Sequence, residues 1–173
     1  MIAYLALGSN LGNREEHLRS AVVHLAENGI KILQCASLYE TEPLEVLDQP
    51  WFLNTVLRVN TDLSADELLT TCLKIERENH RTRDQLKGPR TLDIDILFYG
   101  DSVLQRPHLT IPHPSFSARR FVLVPLAEIA PDLVDPLTGK TIRQLLAECR
   151  DTATVTRVSD AQAFCRPFPN EPQ

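Results

Sequence analysis

Much of what marks a common function class is missing from this chain. No apolar run approaches the roughly 20 residues a membrane-spanning helix needs, so no membrane partner is expected. The four cysteines, Cys35, Cys72, Cys149 and Cys165, form no C-x-x-C pair, and none lies near histidine at a zinc-like spacing. Three of them fall in apolar periodic segments and read as buried free thiols. Positive charge is in the minority: the net charge of −5 argues against general nucleic-acid binding, which calls for a basic surface. The glycine-bearing loop Gly8-Ser9-Asn10-Leu11-Gly12-Asn13 has no Lys-Ser or Lys-Thr after its second glycine, which excludes a P-loop, and it does not fit a dinucleotide fingerprint. It reads either as a strand-to-helix turn or as a direct ligand contact. There is no internal repeat and no low-complexity segment. Met1 leads into an apolar run without a basic n-region, so no signal peptide is expected, and a reduced, cytoplasmic protein fits this pattern.

What is present is ordinary soluble-protein material with a strong local pattern. Hydrophobic residues make up 43% and charged residues 24% of 173 positions, enough for one domain with a real core. Ile2 to Leu7 is apolar throughout, as in a strand covered on both faces. Asn13 with Glu16 opens a helix through Leu18, Ala21, Val22 and Leu25, closed by Gly29. Ile30 to Tyr39 and Phe52 to Val59 read as strands. Ser64 with Glu67 opens a second helix. A further helix over Phe121–Ile129 is expected to break at Pro125, and Thr141 with Gln144 opens a last one. The order strand, helix, strand, strand, helix, strand predicts an α+β, ferredoxin-like antiparallel sheet. Its helices should pack on one face, and loops should frame a ligand site on the other. The domain is expected to span 1–150, with 151–173 a partly loose C-terminal extension that is loosest from Phe164 onward.

The most informative stretch runs from Gly88 to Gly100. A turn at Gly88-Pro89 leads into a strand in which Leu92, Ile94, Ile96 and Phe98 point one way, and Asp93 and Asp95 the other. The two aspartates are attached roughly 7 Å apart on one face. Two carboxylates this close repel unless a proton or a cation intervenes, so the pair suits a hard divalent ion such as Mg²⁺. An exposed polar strand face with arginines as salt-bridge partners is the competing reading. Upstream, Lys74, Arg77, Arg81, Arg83, Lys87 and Arg90 place six of the 18 basic residues in one window. A local anion site on an acidic protein suits a small phosphorylated ligand better than a polymer. Asn54 is the other independent clue, because a buried amide inside an apolar strand needs partners.

Six blocks in order then make the sequence resemble the 6-hydroxymethyl-7,8-dihydropterin pyrophosphokinases of the folate pathway, from Ile2 to Leu146. They are Tyr4–Gly12, Ser37–Leu44, Asp48–Asn54, Gly88–Ile96, Leu109–Pro114 and Arg119–Leu126. The resemblance implies transfer of a pyrophosphoryl group from ATP to the pterin hydroxymethyl oxygen, with release of AMP. It implies two Mg²⁺ ions on Asp93 and Asp95, catalytic help from Arg81 and Arg90, and phosphate or nucleotide contacts at Glu76, Arg83, Ile96, Thr110, His113 and Arg119. It also places the pterin between Phe52 and Phe121, with Asn54 on its edge and Thr41, Pro43 and Leu44 completing the pocket. Small-molecule substrates and a monomer are the partners it suggests.

The chain departs from the family pattern at several positions. Lys87 stands before Gly88 where many members have an aromatic residue, and is expected to reach the phosphates when loop 80–90 closes. Leu73, His108, Pro114 and Glu45 also differ from common family residues. Taken without the resemblance, a two-metal hydrolase and a non-catalytic ferredoxin-like binding module stand beside the transferase.

Overall fold

A computed structural model describes residues 1–44, 47–79 and 91–165. The main sheet runs in the order β5-β1-β4-β3-β8, with β2 also alongside β4, and every pair in it is antiparallel. Its strands are β1 (Ile2–Ser9), β2 (Lys31–Cys35), β3 (Leu38–Thr41), β4 (Phe52–Asn60), β5 (Asp93–Tyr99) and β8 (Val155–Ser159). A separate hairpin joins β6 (Leu104–Arg106) to β7 (Leu109–Ile111). This is the expected ferredoxin-like core with strands added at one side. Among the described residues no helix is long and apolar enough to cross a membrane.

β1 is central, as its unbroken apolar run requires. Ala3, Leu5 and Leu7 face α1 (Arg14–Glu27) and α2 (Ala65–Glu78), packing with Leu18, Leu25, Leu68 and Ile75. Both helices start where their caps direct: Asn13 accepts from the Glu16 N–H at 3.1 Å, and Ser64 and Glu67 form a complete capping box. The opposite face is not left to loops alone. There α3 (Arg120–Ile129) and α4 (Ile142–Glu148) bury Val122, Leu123, Leu126 and Ile142 against Tyr4, Val56 and Phe98. This burial also carries α3 through Pro125, where a break was expected. Helices therefore cover both faces, and the second pair leaves one end of its face open.

Two further local expectations change for identifiable reasons. The single strand over Ile30–Tyr39 is divided into β2 and β3, which pair with successive halves of β4. At the division the Ser37 N–H and hydroxyl donate to the Glu128 carboxylate, at 3.0 and 2.7 Å, in place of continuing the ladder. In β5 the register slips from Tyr4↔Phe98 to Leu5↔Ile96, so Leu97 is an extra residue. Phe98 is thereby turned to the same face as Leu97, away from Ile94 and Ile96, against the simple alternation.

The C-terminal extension carries more order than its composition suggested. β8 pairs with β3, and α5 (Ala161–Phe164) returns over α1. The Arg19 guanidinium donates to the carbonyls of Ala163 and Phe164 at 2.8 and 2.9 Å and lies 5.5 Å from the Phe164 ring centroid. Cys35 and Cys165 form a disulfide with Cα atoms 6.2 Å apart, which corrects the reading of Cys35 as a free thiol. Their separation of 130 residues hides the pairing from any spacing rule. Cys72 and Cys149 are free, as expected.

A cross-link over so long a loop stabilises mainly by restricting the unfolded chain. Reduction, or Cys165→Ser, is expected to lower unfolding stability by roughly 2–4 kcal/mol, read as a lower melting temperature with reductant than without. Superimposable melting curves would contradict the cross-link.

Candidate active site

The open end of the second sheet face is built on a row of three strands. Gly8 of β1 is in register with Asn54 of β4 on one side and with Asp93 of β5 on the other. Two residues along, Ala6 is level with Val56 and Asp95. Phe52, Asn54, Ala6, Gly8, Asp93 and Asp95 thus share one face, and all six line a single pocket. Its empty volume is about 760 Å³ including solvent at the mouth, within the size of small-ligand clefts. Ala6 and Gly8 keep the floor low. The Thr41–Leu44 segment forms one wall, and Arg119, Phe121 and Val122 at the start of α3 form the other.

Gly8 is a steric requirement. A Cβ there would lie 2.5 Å from Asn54 Oδ1 and 3.8 Å from Phe52 Cδ1. The Asn54 amide is set by Thr41, whose hydroxyl accepts from Asn54 Nδ2 at 2.6 Å, both side chains being buried. That bond turns the amide carbonyl over Gly8, so a rigid donor–acceptor edge stands at the pocket floor. Phe52 and Phe121 are half-buried lining residues, and the Arg119 guanidinium lies 5.8 Å from the Phe121 ring centroid. The expected pocket residues Thr41, Pro43, Leu44, Phe52, Asn54 and Phe121 are thus brought together.

Asp93 and Asp95 are half-exposed at the other end of the same floor. Among the described residues no group of three or more His, Cys, Asp or Glu side chains is placed to hold a metal. Two carboxylates on one strand face match the way a hard cation is held when phosphate and water supply its remaining oxygens. The strand is secured from behind: Glu76 of α2, only 2% exposed, accepts from the Ile94 N–H at 2.8 Å. Expected as a nucleotide contact, Glu76 does not line the pocket; its carboxylate takes a backbone N–H on the outer edge of β5. The Ile96 side chain is in the core, so only its backbone is available to a ligand. Burial, with Glu76 and Asp95 nearby, pushes the Cys72 thiol up to about 12, and it stays an unreactive core group.

His113 follows β7 in a loop held by its own N–H donating to the Leu97 carbonyl at 3.0 Å. Its Nδ1 accepts from the Ser115 N–H at 3.3 Å, which places the ring proton on Nε2. Burial first, then the Arg119 charge, holds its pKa below the usual histidine value, with Asp93 opposing. The ring is a neutral donor at neutral pH. Thr110 is half-buried in the β6–β7 hairpin. Arg81, Arg83, Lys87 and Arg90 lie outside the described residues.

Glu42 and Gln49, two polar pocket residues, escaped the sequence reading. Gln49 lines the pocket and is tied by Asn10, whose Nδ2 donates to Gln49 Oε1 at 3.0 Å and to the Pro50 carbonyl at 2.9 Å. Asn10 thus binds the β1–α1 loop to the loop before β4, so the glycine loop is a strand-to-helix turn whose first residue, Gly8, also lines the pocket. Glu42 also lines the wall. Gln49 stands inside the Asp48–Asn54 block, whose spacing was its one available signal.

The family model for 7,8-dihydro-6-hydroxymethylpterin-pyrophosphokinase (HPPK) matches residues 4–131. A 2-amino-4-hydroxy-6-hydroxymethyldihydropteridine pyrophosphokinase of Synechocystis sp. is 46% identical over 152 residues, covering 87% of this chain and 77% of the relative. That of Methylorubrum extorquens is 44% identical over 157 residues, covering 90% of this chain and 98% of the relative. The folic acid synthesis protein fol1 of Schizosaccharomyces pombe is 44% identical over 146 residues, and the chain spans only 20% of that relative's length. The crystal structure of wild-type Plasmodium falciparum HPPK-DHPS matches with a TM-score of 0.66 at 18% identity over 85% of this chain and 44% of that one, a likeness of fold.

Gly8→Ala is expected to force Asn54 off Thr41 and to destabilise the protein by about 1–3 kcal/mol through overpacking, measured by denaturant unfolding. Unchanged stability would show that the amide is free to move. The His113 ring is expected to titrate below its usual value near 6.5 in an NMR pH series. Because the folded value lies below the unfolded one, its contribution to stability is full above about pH 6.5 and is lost as pH falls through the folded value.

Proposed function

The chain belongs to the 7,8-dihydro-6-hydroxymethylpterin-pyrophosphokinase family, and on that footing we propose that it transfers a pyrophosphoryl group from ATP to the hydroxymethyl oxygen of 6-hydroxymethyl-7,8-dihydropterin, giving the pterin diphosphate and AMP in folate biosynthesis. The observation that carries this reading is one pocket with two chemically different ends. At one end stands a fixed amide between aromatic walls, and at the other a pair of carboxylates on the same strand face.

A pterin is a flat heteroaromatic ring with a guanine-like edge. Phe52 and Phe121 offer stacking surfaces for its faces. Asn54, oriented by Thr41, offers the edge both an acceptor and a donor. This orientation directs the hydroxymethyl arm along the floor, past Gly8, toward Asp93. Attack at the β-phosphorus in line with the departing AMP asks the protein mainly for positioning and charge neutralisation. Bound Mg²⁺, two ions in this reading, would be held by Asp93 and Asp95 and would supply neutralisation of the phosphate oxygens. His113 donates from Nε2 to a phosphate oxygen, and Arg119 adds positive charge at the rim. Arg81 and Arg90 serve the transferring phosphates in this reading, and Arg83 and Lys87 are further phosphate contacts. Ile96 meets the nucleotide through its backbone, Thr110 completes that side, and Glu76 supports it from behind β5 by holding the Ile94 N–H. Residues 1–150 supply the substrate and metal contacts of this reading, braced by the segment that follows them, in a cytoplasmic monomer that needs no nucleic-acid partner.

Incubation with the pterin alcohol and Mg-ATP, followed by chromatography, is expected to give AMP only when the pterin is present. Phosphate release indifferent to the pterin would favour a hydrolase, and no turnover a binding module; either would overturn the proposal. Asp95→Ala is expected to lower kcat roughly a hundredfold or more with the fold retained by circular dichroism. Near-normal turnover in that variant would refute its role.

A further inference from the structure

The family model ends at residue 131, yet the chain beyond it touches both walls of the pocket. On one side Val155 of β8 is level with Thr41, the residue that orients Asn54. Just before it, the Thr154 N–H donates to Glu42 Oε1 at 2.5 Å, and the Glu42 N–H donates back to the Thr154 carbonyl at 3.3 Å. On the other side Asp151 Oδ2 accepts from the Arg120 N–H at 2.8 Å, at the first residue of α3. The helix has no side-chain cap of its own, since Arg119 in the capping position makes no capping hydrogen bond. Asp151 supplies that acceptor from outside, with a charge that suits the helix N-terminus. Its second oxygen accepts from the Ala153 N–H at 2.9 Å, which rigidifies the turn into β8. The far end of the segment is anchored by the Cys35–Cys165 disulfide and by Arg19 on Phe164.

Residues 151–155 thus form a short strap. One end holds the first turn of α3, which carries Phe121, and the other holds the Thr41–Glu42 wall. We propose that Asp151 is a positioning residue for the acceptor substrate: it sets the distance between the Phe121 wall and the Thr41–Asn54 wall, and hence how tightly a flat ring is held between them. This rests on the pterin reading of the pocket. The strap is joined to the aromatic and amide walls, at the end of the pocket where the ring is placed. Its effect is therefore expected mainly at the ring-binding end, with Arg119 the one phosphate-side group on the same turn.

The test compares Asp151→Ala and Asp151→Asn with the unaltered full-length protein. KM for the pterin alcohol and for Mg-ATP, and kcat, are measured separately, and folding is checked by thermal melting. Asp151→Ala is expected to raise the pterin KM about tenfold while the ATP KM stays within about twofold. Asp151→Asn keeps an acceptor oxygen for one of the two N–H groups and is expected to recover most of the loss. A pterin KM unchanged in Asp151→Ala, an equal rise in both KM values, or an Asn variant no better than Ala would overturn the proposal. Should Asp151→Ala fail to fold, Asp151→Ser, which keeps only one shorter oxygen, takes its place: a raised pterin KM with the ATP KM unchanged supports the proposal, and no such split overturns it. Failure of the pterin reading itself is distinguishable, because the unaltered protein would then show no pterin-dependent AMP.

Discussion

The approach of the Asn54 amide to Gly8 is the constraint on which the site depends. Three antiparallel strands bring Asn54, Gly8 and Asp93 level with one another, and the middle position must be nearly empty. With no Cβ at Gly8, the amide oxygen can lie flat over β1 and the floor stays open from Asn54 to the carboxylates. The Thr41 hydroxyl then removes the remaining rotational choice. A buried amide held in this way has paid its ordering entropy before any ligand arrives, which favours binding of a rigid ring.

The rest of the fold supports that row from both faces. Below it, α1 and α2 pack on the apolar residues of β1, β4 and β5, and Glu76 holds the outer edge of β5 between the two aspartates. Above it, α3 covers one end of the face and offers Phe121 and Arg119 to the other. The Glu128 carboxylate, accepting from Ser37 and from the Tyr39 hydroxyl at 2.8 Å, locks α3 to the start of β3. Burial and that carboxylate push the Tyr39 phenol up to about 12, so it remains a donor across the working pH range. The result is a pocket whose aromatic wall belongs to a helix and whose polar wall belongs to a strand.

Local signals in the sequence carried a good part of this. The caps at Ser64 and Thr141, the apolar run of β1 and the alternation through Asp93 and Asp95 each depend on neighbours within a few residues, and all were legible. Asn54 stood out because an amide in an apolar strand demands a partner, although nothing local named Thr41. What escaped depends on long-range pairing. Phe98 turns over because of a slip in register against β1, and Cys35 meets Cys165 because β8 adds to β3. Glu42 and Gln49 become pocket residues only once loops distant in sequence are brought together. Arg81, Arg83, Lys87 and Arg90 were legible as a basic cluster and lie outside the described residues.

The most direct measurement is a crystal structure of the protein with the pterin alcohol, Mg²⁺ and a non-hydrolysable ATP analogue. The arrangement described here requires the ring between Phe52 and Phe121, its polar edge on the Asn54 amide, and the phosphates at Asp93 and Asp95. A ring bound elsewhere, or phosphates remote from both aspartates, would contradict it.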